Sequence, residues 1–450
     1  MWFDSYLSNR VRHGTLILEF ADGTESRRYG EGDPVAVWQV ESPRVLRKIS
    51  ADPGFMLGQT YMDGAWSVPP DGLLPLLEVL MRNFHYETAD WKGRLWRALL
   101  APLQQWNRAR ASRRNVSHHY DLDADMFRQF LDEDMQYSCA YFLRPDISLE
   151  EAQRAKCEHI RRKLLLSPGQ RVLDIGCGWG GLAMYLAERD DVQVTGLTLS
   201  VEQHRIATER VRQRGLQDKV QILLADYREH EGDYDRIVSV GMFEHVGVPN
   251  YRRFFELVRQ RLPDDGVALI HTIGRRTPPG LTNPWTRRYI FPGGYIPAMS
   301  ETMAAIERSE LYCTDVEVLR RHYALTLQHW LSRFQKVRAE WVGKLGETFC
   351  RMWEFYLAAS AASFLWRDLV VFQFQLSPAL DAVPITRDYL YAPEQSPVRG
   401  ELAVNCAAAC RRKVCEPGEF LASLAACSCW KFAEGVIRPC VYGCSPCCCC

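Results

Sequence analysis

The stretch Val172–Gly181 reads Val-Leu-Asp-Ile-Gly-Cys-Gly-Trp-Gly-Gly and constrains this chain most. Arg171–Ile175 is a short apolar strand broken by one acid. Glycines follow at 176, 178, 180 and 181, and then the amphipathic run Leu182-Ala-Met-Tyr-Leu-Ala-Glu. Strand, glycine turn and helix make the first unit of a nucleotide-type α/β fold. Glycine permits positive φ and lets a backbone approach a ligand closely. An acid inside the unit, Asp174, disfavours a pyrophosphate. It suits a cofactor bearing cationic groups, such as S-adenosylmethionine with its sulfonium and ammonium.

Further strands follow at the intervals such a fold requires. Val192–Thr198 ends about twenty residues after the glycines, where these folds contact a ribose. The acid usual there is missing; Thr198, Leu199, Ser200 and Gln203 stand in its place. Val220–Ala225 ends at Asp226 and Tyr227, a carboxylate and a ring suited to binding and covering adenine. Asp235–Val240 runs into Gly241-Met-Phe-Glu244-His-Val-Gly247, and Gly266–Ile270 ends at His271-Thr-Ile-Gly274. Alternating strands and helices predict a parallel sheet with its ligand at the strands' carboxyl ends. The polar residues cluster at those ends.

Together these motifs resemble the cyclopropane-fatty-acyl-phospholipid synthases. These are S-adenosylmethionine-dependent enzymes related to the mycolic acid cyclopropane synthases. The resemblance rests on His119-Tyr-Asp121, Gln136-Tyr-Ser-Cys-Ala-Tyr-Phe142, Leu173–Gly181, Leu197–Gln203, Gly241–Gly247, His271–Gly274 and Tyr289-Ile-Phe-Pro-Gly-Gly294. It covers roughly residues 1–390. It implies a Rossmann-like class I methyltransferase sheet with a helical acyl-chain insertion, plus a smaller α+β amino-terminal domain. The implied reaction is methylene transfer from S-adenosylmethionine to a cis double bond of a phospholipid acyl chain, closing a cyclopropane ring. A carbocation forms on the way, and a bound bicarbonate removes the proton.

Matching position by position, the resemblance places Cys139, Glu244, His271, Ile273 (through its backbone) and Tyr323 around the bicarbonate. Tyr137 and Ser138 fall on the methionine part of the cofactor. Asp174, Gly176, Cys177, Gly178, Thr198, Leu199, Ser200, Gln203, Asp226 and Tyr227 complete its site. The residue types suit the task. His271 and Tyr323 can donate to an oxyanion, and Glu244 can accept from a protonated bicarbonate or orient His271. One position departs from the pattern. Family members often carry cysteine in Tyr-Leu-x-x-Cys-x-x-x-Phe, whereas Tyr356–Phe364 has Ser360. That removes a covalent thiol role and favours bicarbonate; altered activity stays open.

Four regions are expected: residues 1–105, a lipid-associated domain; 106–120, a basic linker; 121–391, the catalytic domain; and 392–450, a cysteine-rich irregular tail. In the first, Thr15–Phe20 and Ala36–Val40 read as strands, Asp22-Gly23 as a turn and Leu73–Phe84 as a helix. Residues 91–118 hold Trp91, Trp96, Trp106 and many arginines with no acid. Such a helix can lie on an anionic bilayer, or pack its apolar stripe as a solvated linker. Ala152–Leu166 is a helix. Residues 275–365 interrupt the sheet with helices and many aromatics; twelve stand out, Trp285, Tyr289, Phe291, Trp330, Phe334, Trp341, Phe349, Trp353, Phe355, Tyr356, Phe364 and, just beyond, Trp366. Most of these read as core and the rest as candidates for an acyl-chain tunnel. Leu369–Leu376 is the last strand.

Composition sets the remaining bounds. Fifty-five basic and 55 acidic residues balance, and no basic stripe accompanies the glycine loop, so a nucleic-acid partner is not expected. No apolar run reaches the roughly 18 residues of a membrane span, and the amino terminus shows no signal peptide. The expected location is cytoplasmic, peripheral to the inner membrane face, with unsaturated phospholipids as partners; a homodimer stays open. The acidic runs Asp121–Asp125 and Asp132–Asp134 lack the pattern of a calcium loop, so no metal site is expected. Eleven of the 16 cysteines follow residue 400 without zinc-ribbon or ferredoxin spacing. They read as an irregular, disordered tail, of the kind a frame-shifted end of a reading frame would give, with metal binding the less favoured alternative. Competing readings are an acyl-chain methyltransferase giving a methyl-branched or methylene product, a plain small-molecule methyltransferase, and a non-catalytic lipid-binding relative.

Overall fold

The computed structural model describes residues 2–84 and 124–391, and the short strands 430–433 and 436–439. The basic linker 106–120, the tryptophan- and arginine-rich run 91–118, the His119–Asp121 motif and the tail cysteines lie outside the described residues. The chain divides into a unit Met1–Leu390 and a unit Tyr391–Cys450. The second contributes one antiparallel pair, Trp430–Ala433 with Val436–Pro439.

The first unit opens with a four-stranded sheet, order β2-β1-β3-β4. Its strands are β1 (Thr15–Phe20), β2 (Arg27–Tyr29), β3 (Val35–Val40) and β4 (Trp66–Ser67). The expected strands and the turn after Phe20 are present, with β1 and β3 parallel. Trp38 and Trp66 meet edge to face at 5.6 Å in its core. The helix expected from residue 73 runs Leu73–Asn83 and buries Leu73, Leu76, Leu77 and Val79, an i, i+3, i+4 stripe.

The large sheet has β5 (Arg171–Ile175), β6 (Gln193–Thr198), β7 (Val220–Leu224), β8 (Arg236–Val240), β9 (Val267–Arg275), β10 (Tyr312–Leu319) and β11 (Leu369–Ser377). Their order is β10-β11-β9-β8-β5-β6-β7. Neighbours from β9 to β7 pair in parallel, and β11 pairs antiparallel with both β9 and β10. The chain moves one way from β5 to β6 and β7 and the other way to β8 and β9, which opens a crevice at the end of β5. Successive side chains serve opposite faces. Val172, Val194, Val238 and Leu269 pack with the helices Leu149–Leu164, Gly181–Asp190 and Val201–Gln213. Leu173, Leu197, Ile237 and Ile270 pack on the other side with Tyr251–Arg261 and Met299–Ile306. This is the Rossmann-like class I methyltransferase sheet expected from the sequence.

Two expectations need correction. The fifth parallel strand does not stop at Ile270; β9 runs on to Arg275, because its far half pairs with β11 from Thr272↔Phe372 to Arg275↔Leu369. His271 and Ile273 are therefore strand residues. The 275–365 segment, expected to be a helical insertion, also contains a strand, β10. Its residues alternate apolar with acidic, as in Asp315-Val-Glu-Val318, and only two of its eight residues are fully buried at the sheet edge. The rest of the segment is helical, chiefly His322–Leu345 and Glu347–Trp366. The twelve aromatics singled out from the sequence pack into one cluster with the amino-terminal helices.

Candidate active site

The crevice at the end of β5 holds a cavity built from the predicted glycine turn. Asp174, Gly176, Cys177 and Gly178 line it from β5, Thr198, Leu199 and Gln203 from the end of β6, and Tyr227 from beyond β7. Tyr137 and Ser138 close it from the segment before the Leu149–Leu164 helix. Gly176 has φ +87°, and a side chain there would meet Met242 at 2.8 Å. A Cβ at Gly181 would strike the Asp134 carbonyl at 2.5 Å, so the 132–138 segment can cross the glycine turn only because no side chain stands there.

Two predicted cofactor residues are also tied up within the protein. Ser200 caps the Val201–Gln213 helix, accepting from the Gln203 amide at 3.1 Å. Asp226 accepts two hydrogen bonds from the Arg228 guanidinium, at 2.8 and 2.6 Å. Neither is among the cavity-lining residues; Arg228 itself is. Cys177 contributes backbone, because its sulfur lies where a side chain on Gly196 would stand. Burial holds its thiol well above the usual range.

Asp174 tests the fit of a cationic cofactor. It is 1% exposed, and its Oδ2 has no hydrogen-bond partner among the described residues. Burial pushes its carboxyl up to about 7, against the pull of the Lys156 ammonium. A buried carboxylate with an unpartnered oxygen, lining a glycine-rich cavity, fits a ligand carrying an ammonium.

Behind this cavity lies a second group of predicted residues. The turn after β8 joins the two: Gly241, Met242, His245 and Val246 line the cavity, while Glu244 is buried on the same turn. Glu244 Oε1 accepts from the Ile273 amide at 2.6 Å. Its Oε2 is buried without a partner among the described residues. Burial raises this carboxyl to about 7, partly offset by the Ile273 hydrogen bond. Glu244 thus holds the Ile273 backbone rather than His271.

His271 Nδ1 instead faces Gln373 Nε2 on β11 at 3.1 Å. Burial, helped by the charges of Lys156 and Lys163, lowers the imidazole to about 3, so it is neutral at physiological pH. Cys139 is fully buried, with its thiol pushed up beyond the usual range. The amide of Ala140, its neighbour, donates to Thr326 Oγ1 at 3.1 Å. Thr326 lies one turn beyond Tyr323 on the His322–Leu345 helix. Tyr323 packs against Phe364 at 5.0 Å. Cys139, Tyr323 and Ile273 share one apolar cluster.

Trp330 links the two groups, meeting Tyr323 edge to face at 5.9 Å. Tyr137 stacks on Trp330 at 5.1 Å, and its hydroxyl meets that of Tyr356 at 3.0 Å. None of the twelve aromatics predicted for core or tunnel is a lining residue of the cavity. Lys156, Trp179, His245 and Gln373 were not singled out from sequence. Trp179 and His245 lie inside quoted motifs, which could have flagged them; Lys156 and Gln373 carry no local signal.

Comparison with known proteins agrees with this geometry. Residues 107–374 match the sequence model of the mycolic acid cyclopropane synthetase family. The cyclopropane-fatty-acyl-phospholipid synthase of Escherichia coli K12 is 39% identical over 356 residues, covering 78% of this chain and 90% of that protein. The tuberculostearic acid methyltransferase UfaA1 of Mycobacterium tuberculosis is 36% identical over 82% of this chain and 89% of its own length. Among solved structures, the cyclopropane synthase MmaA2 of M. tuberculosis superposes with a TM-score of 0.57 at 35% identity, covering 60% of this chain and 99% of that one. Mycolic acid cyclopropane synthase CmaA1, solved with S-adenosylhomocysteine, gives 0.56 at 36% identity, with 59% and 98% covered. With its sheet order, glycine turn and buried Glu244 in place, the chain belongs to the mycolic acid cyclopropane synthetase family of S-adenosylmethionine-dependent enzymes.

Proposed function

We propose that the protein transfers a methylene from S-adenosylmethionine to a cis double bond in a phospholipid acyl chain, forming a cyclopropane. The observation that carries this reading is the β8 turn, which lines the cofactor cavity and buries Glu244 against Ile273 within the same few residues. S-adenosylmethionine, when bound, supplies an electrophilic methyl on a sulfonium. Asp174, the glycine turn, Tyr137, Ser138 and Gln203 are the residues that would hold it. An alkene is a weak nucleophile, so orientation and exclusion of water do most of the protein's work. Tyr137, which lines the cavity and is held by Trp330 and Tyr356, offers a ring face that tolerates a transient cation without trapping it.

The added methyl must then lose a proton. Bicarbonate, when bound, supplies the acceptor, and the unpartnered Glu244 Oε2 fits its O–H. His271, neutral and oriented by Gln373, and Tyr323 can donate to its oxygens, with Cys139 as an apolar wall. The described residues include no helix long and apolar enough to cross a membrane. We place the enzyme at a membrane surface because its substrate is a lipid. A second reading, transfer of methyl to give a branched or methylene-bearing chain, is favoured by the similarity to UfaA1.

Incubation with S-adenosylmethionine, bicarbonate and vesicles of an unsaturated phospholipid separates the two. Mass spectrometry and proton NMR showing one added CH2 with upfield cyclopropane protons support ring closure. The same mass gain with vinylic or methyl-branch signals moves the assignment to acyl methyltransfer. No gain, with cofactor bound, identifies a non-catalytic relative.

A further inference from the structure

The Leu149–Leu164 helix carries a buried cation that the proposed chemistry does not use. Lys156 is 1% exposed. Its Nζ donates to Gln136 Oε1 at 2.5 Å and to Ser138 Oγ at 2.9 Å. Both acceptors are neutral, and both residues line the cofactor cavity. One turn earlier on the same helix, Gln153 Nε2 donates to the backbone carbonyls of Gln136 and Ser138, at 3.2 and 3.0 Å. The helix therefore grips residues 136 and 138 by backbone and side chain together. Asp132 completes the fold of this segment, accepting from the amides of Asp134 and Gln136.

Lys156 makes no ion pair among the described residues, although the buried Asp132 and Asp174 carboxyls both feel its charge. Burying an ammonium this way is costly, and a methionine of similar length would fill the space without that cost. The charge has a use if an anionic group enters the cavity. Lys156 occupies a lone pair on Ser138 Oγ, which leaves the Ser138 O–H free to turn and donate into the cavity.

We propose that Lys156 is a positioning residue for the cofactor: it orients Ser138 and Gln136 as donors and supplies, through them, the positive field for the carboxylate of S-adenosylmethionine. The same charge draws Asp174 toward its ionised form and opposes a proton on His271. One cation thus serves the cofactor cavity and the residues behind it. The inference rests on the cavity's taking S-adenosylmethionine, and wild-type binding of S-adenosylhomocysteine tests that separately.

The experiment measures the Kd of S-adenosylhomocysteine by calorimetry for the full chain carrying K156M, K156Q, S138A and K156M/S138A, with thermal melts to confirm folding. A hydrogen bond from a charged donor implies a loss of roughly tenfold to a hundredfold for K156M. K156Q, which keeps a donor without the charge, should lose less. The double variant should bind no more weakly than K156M, because Lys156 acts through Ser138. In turnover, KM for S-adenosylmethionine should rise while KM for lipid stays unchanged. A purely packing role predicts the opposite order, with K156M at least as good as K156Q, and that order overturns the proposal. So does a folded K156M with wild-type affinity, or additive losses in the double variant. If K156M does not fold, K156Q and S138A decide alone: an unchanged Kd for K156Q overturns the proposal. A wild type that binds no S-adenosylhomocysteine overturns the cofactor reading itself.

Discussion

Glu244 shows how much one buried side chain can carry. Its carboxyl is raised to about 7 by burial, from an ordinary value of 4.5. The folded state then binds a proton that the unfolded state has released, across the window from about 4.5 to about 7. Stability from this group is present below that window and is lost as pH rises through it. E244Q abolishes the titration while keeping an oxygen for the Ile273 amide. Its stability relative to wild type should therefore rise between pH 5 and 8, by on the order of 3 kcal/mol at most, measured by urea unfolding at each pH. A flat difference would show that Glu244 is ionised throughout. The same variant should lose most turnover, by roughly a hundredfold or more, if the carboxylate accepts from the proton carrier. His271 behaves oppositely. With its imidazole lowered to about 3, it should contribute no limb near pH 6.5 to kcat/KM. The residue-scale site was only partly legible. Glu244 and His271 stood out through their motifs, but Gln373 did not. A glutamine in an apolar strand reads as tolerated polarity until pairing sets it against His271.

At the scale of elements, the glycine turn binds the two halves of the crevice together. Gly176 lies so close to Met242 that β5 and the β8 turn share one surface. G176A requires both a positive φ and a 2.8 Å contact, so it should cost about 1–3 kcal/mol of stability. It should also weaken S-adenosylhomocysteine binding at least tenfold, as read by melting and calorimetry. Wild-type affinity in this variant would mean that the turn does not approach the cofactor. Strand identities were legible because Val172–Ile175, Val194–Thr198 and Arg236–Val240 are dense in β-branched and apolar residues. β10 was not, because an edge strand need bury only part of itself and so carries a charged, alternating pattern. The true length of β9 was hidden for another reason. Its second half is a strand only because β11, almost a hundred residues later, pairs with it.

At the scale of the whole unit, the amino-terminal helices are fastened to the helical insertion. Arg351 Nη2 donates to the Trp66 carbonyl at 2.6 Å, its Nε donates to the Tyr61 carbonyl, and its guanidinium lies over the Tyr61 ring at 4.1 Å. Gly58 leaves room for Trp285, which a Cβ would meet at 2.6 Å. G58V should wedge these elements apart at about 1–3 kcal/mol, and R351A should cost a similar amount by leaving carbonyls unpaired. Both should speed proteolysis within residues 1–84 while leaving the Kd of S-adenosylhomocysteine within about twofold. A large loss of cofactor affinity would show that the amino-terminal elements shape the cavity as well as cover it.

The sequence alone determined the sheet, its glycine turn and the acid within it. These depend on local periodicity and on φ values that only certain residues tolerate, and both are written in neighbouring letters. It also singled out the polar strand ends, since a parallel sheet exposes them at one rim. Only the tertiary structure decided what each polar group faces. Ser200 became a helix cap, Asp226 a partner for Arg228, and Glu244 a brace for Ile273. It also turned Lys156, which reads as one more surface lysine on an amphipathic helix, into a buried cation against the cofactor segment. Burial and hydrogen bonding are properties of what packs opposite, and the residues opposite are set by chain reversals far away in sequence.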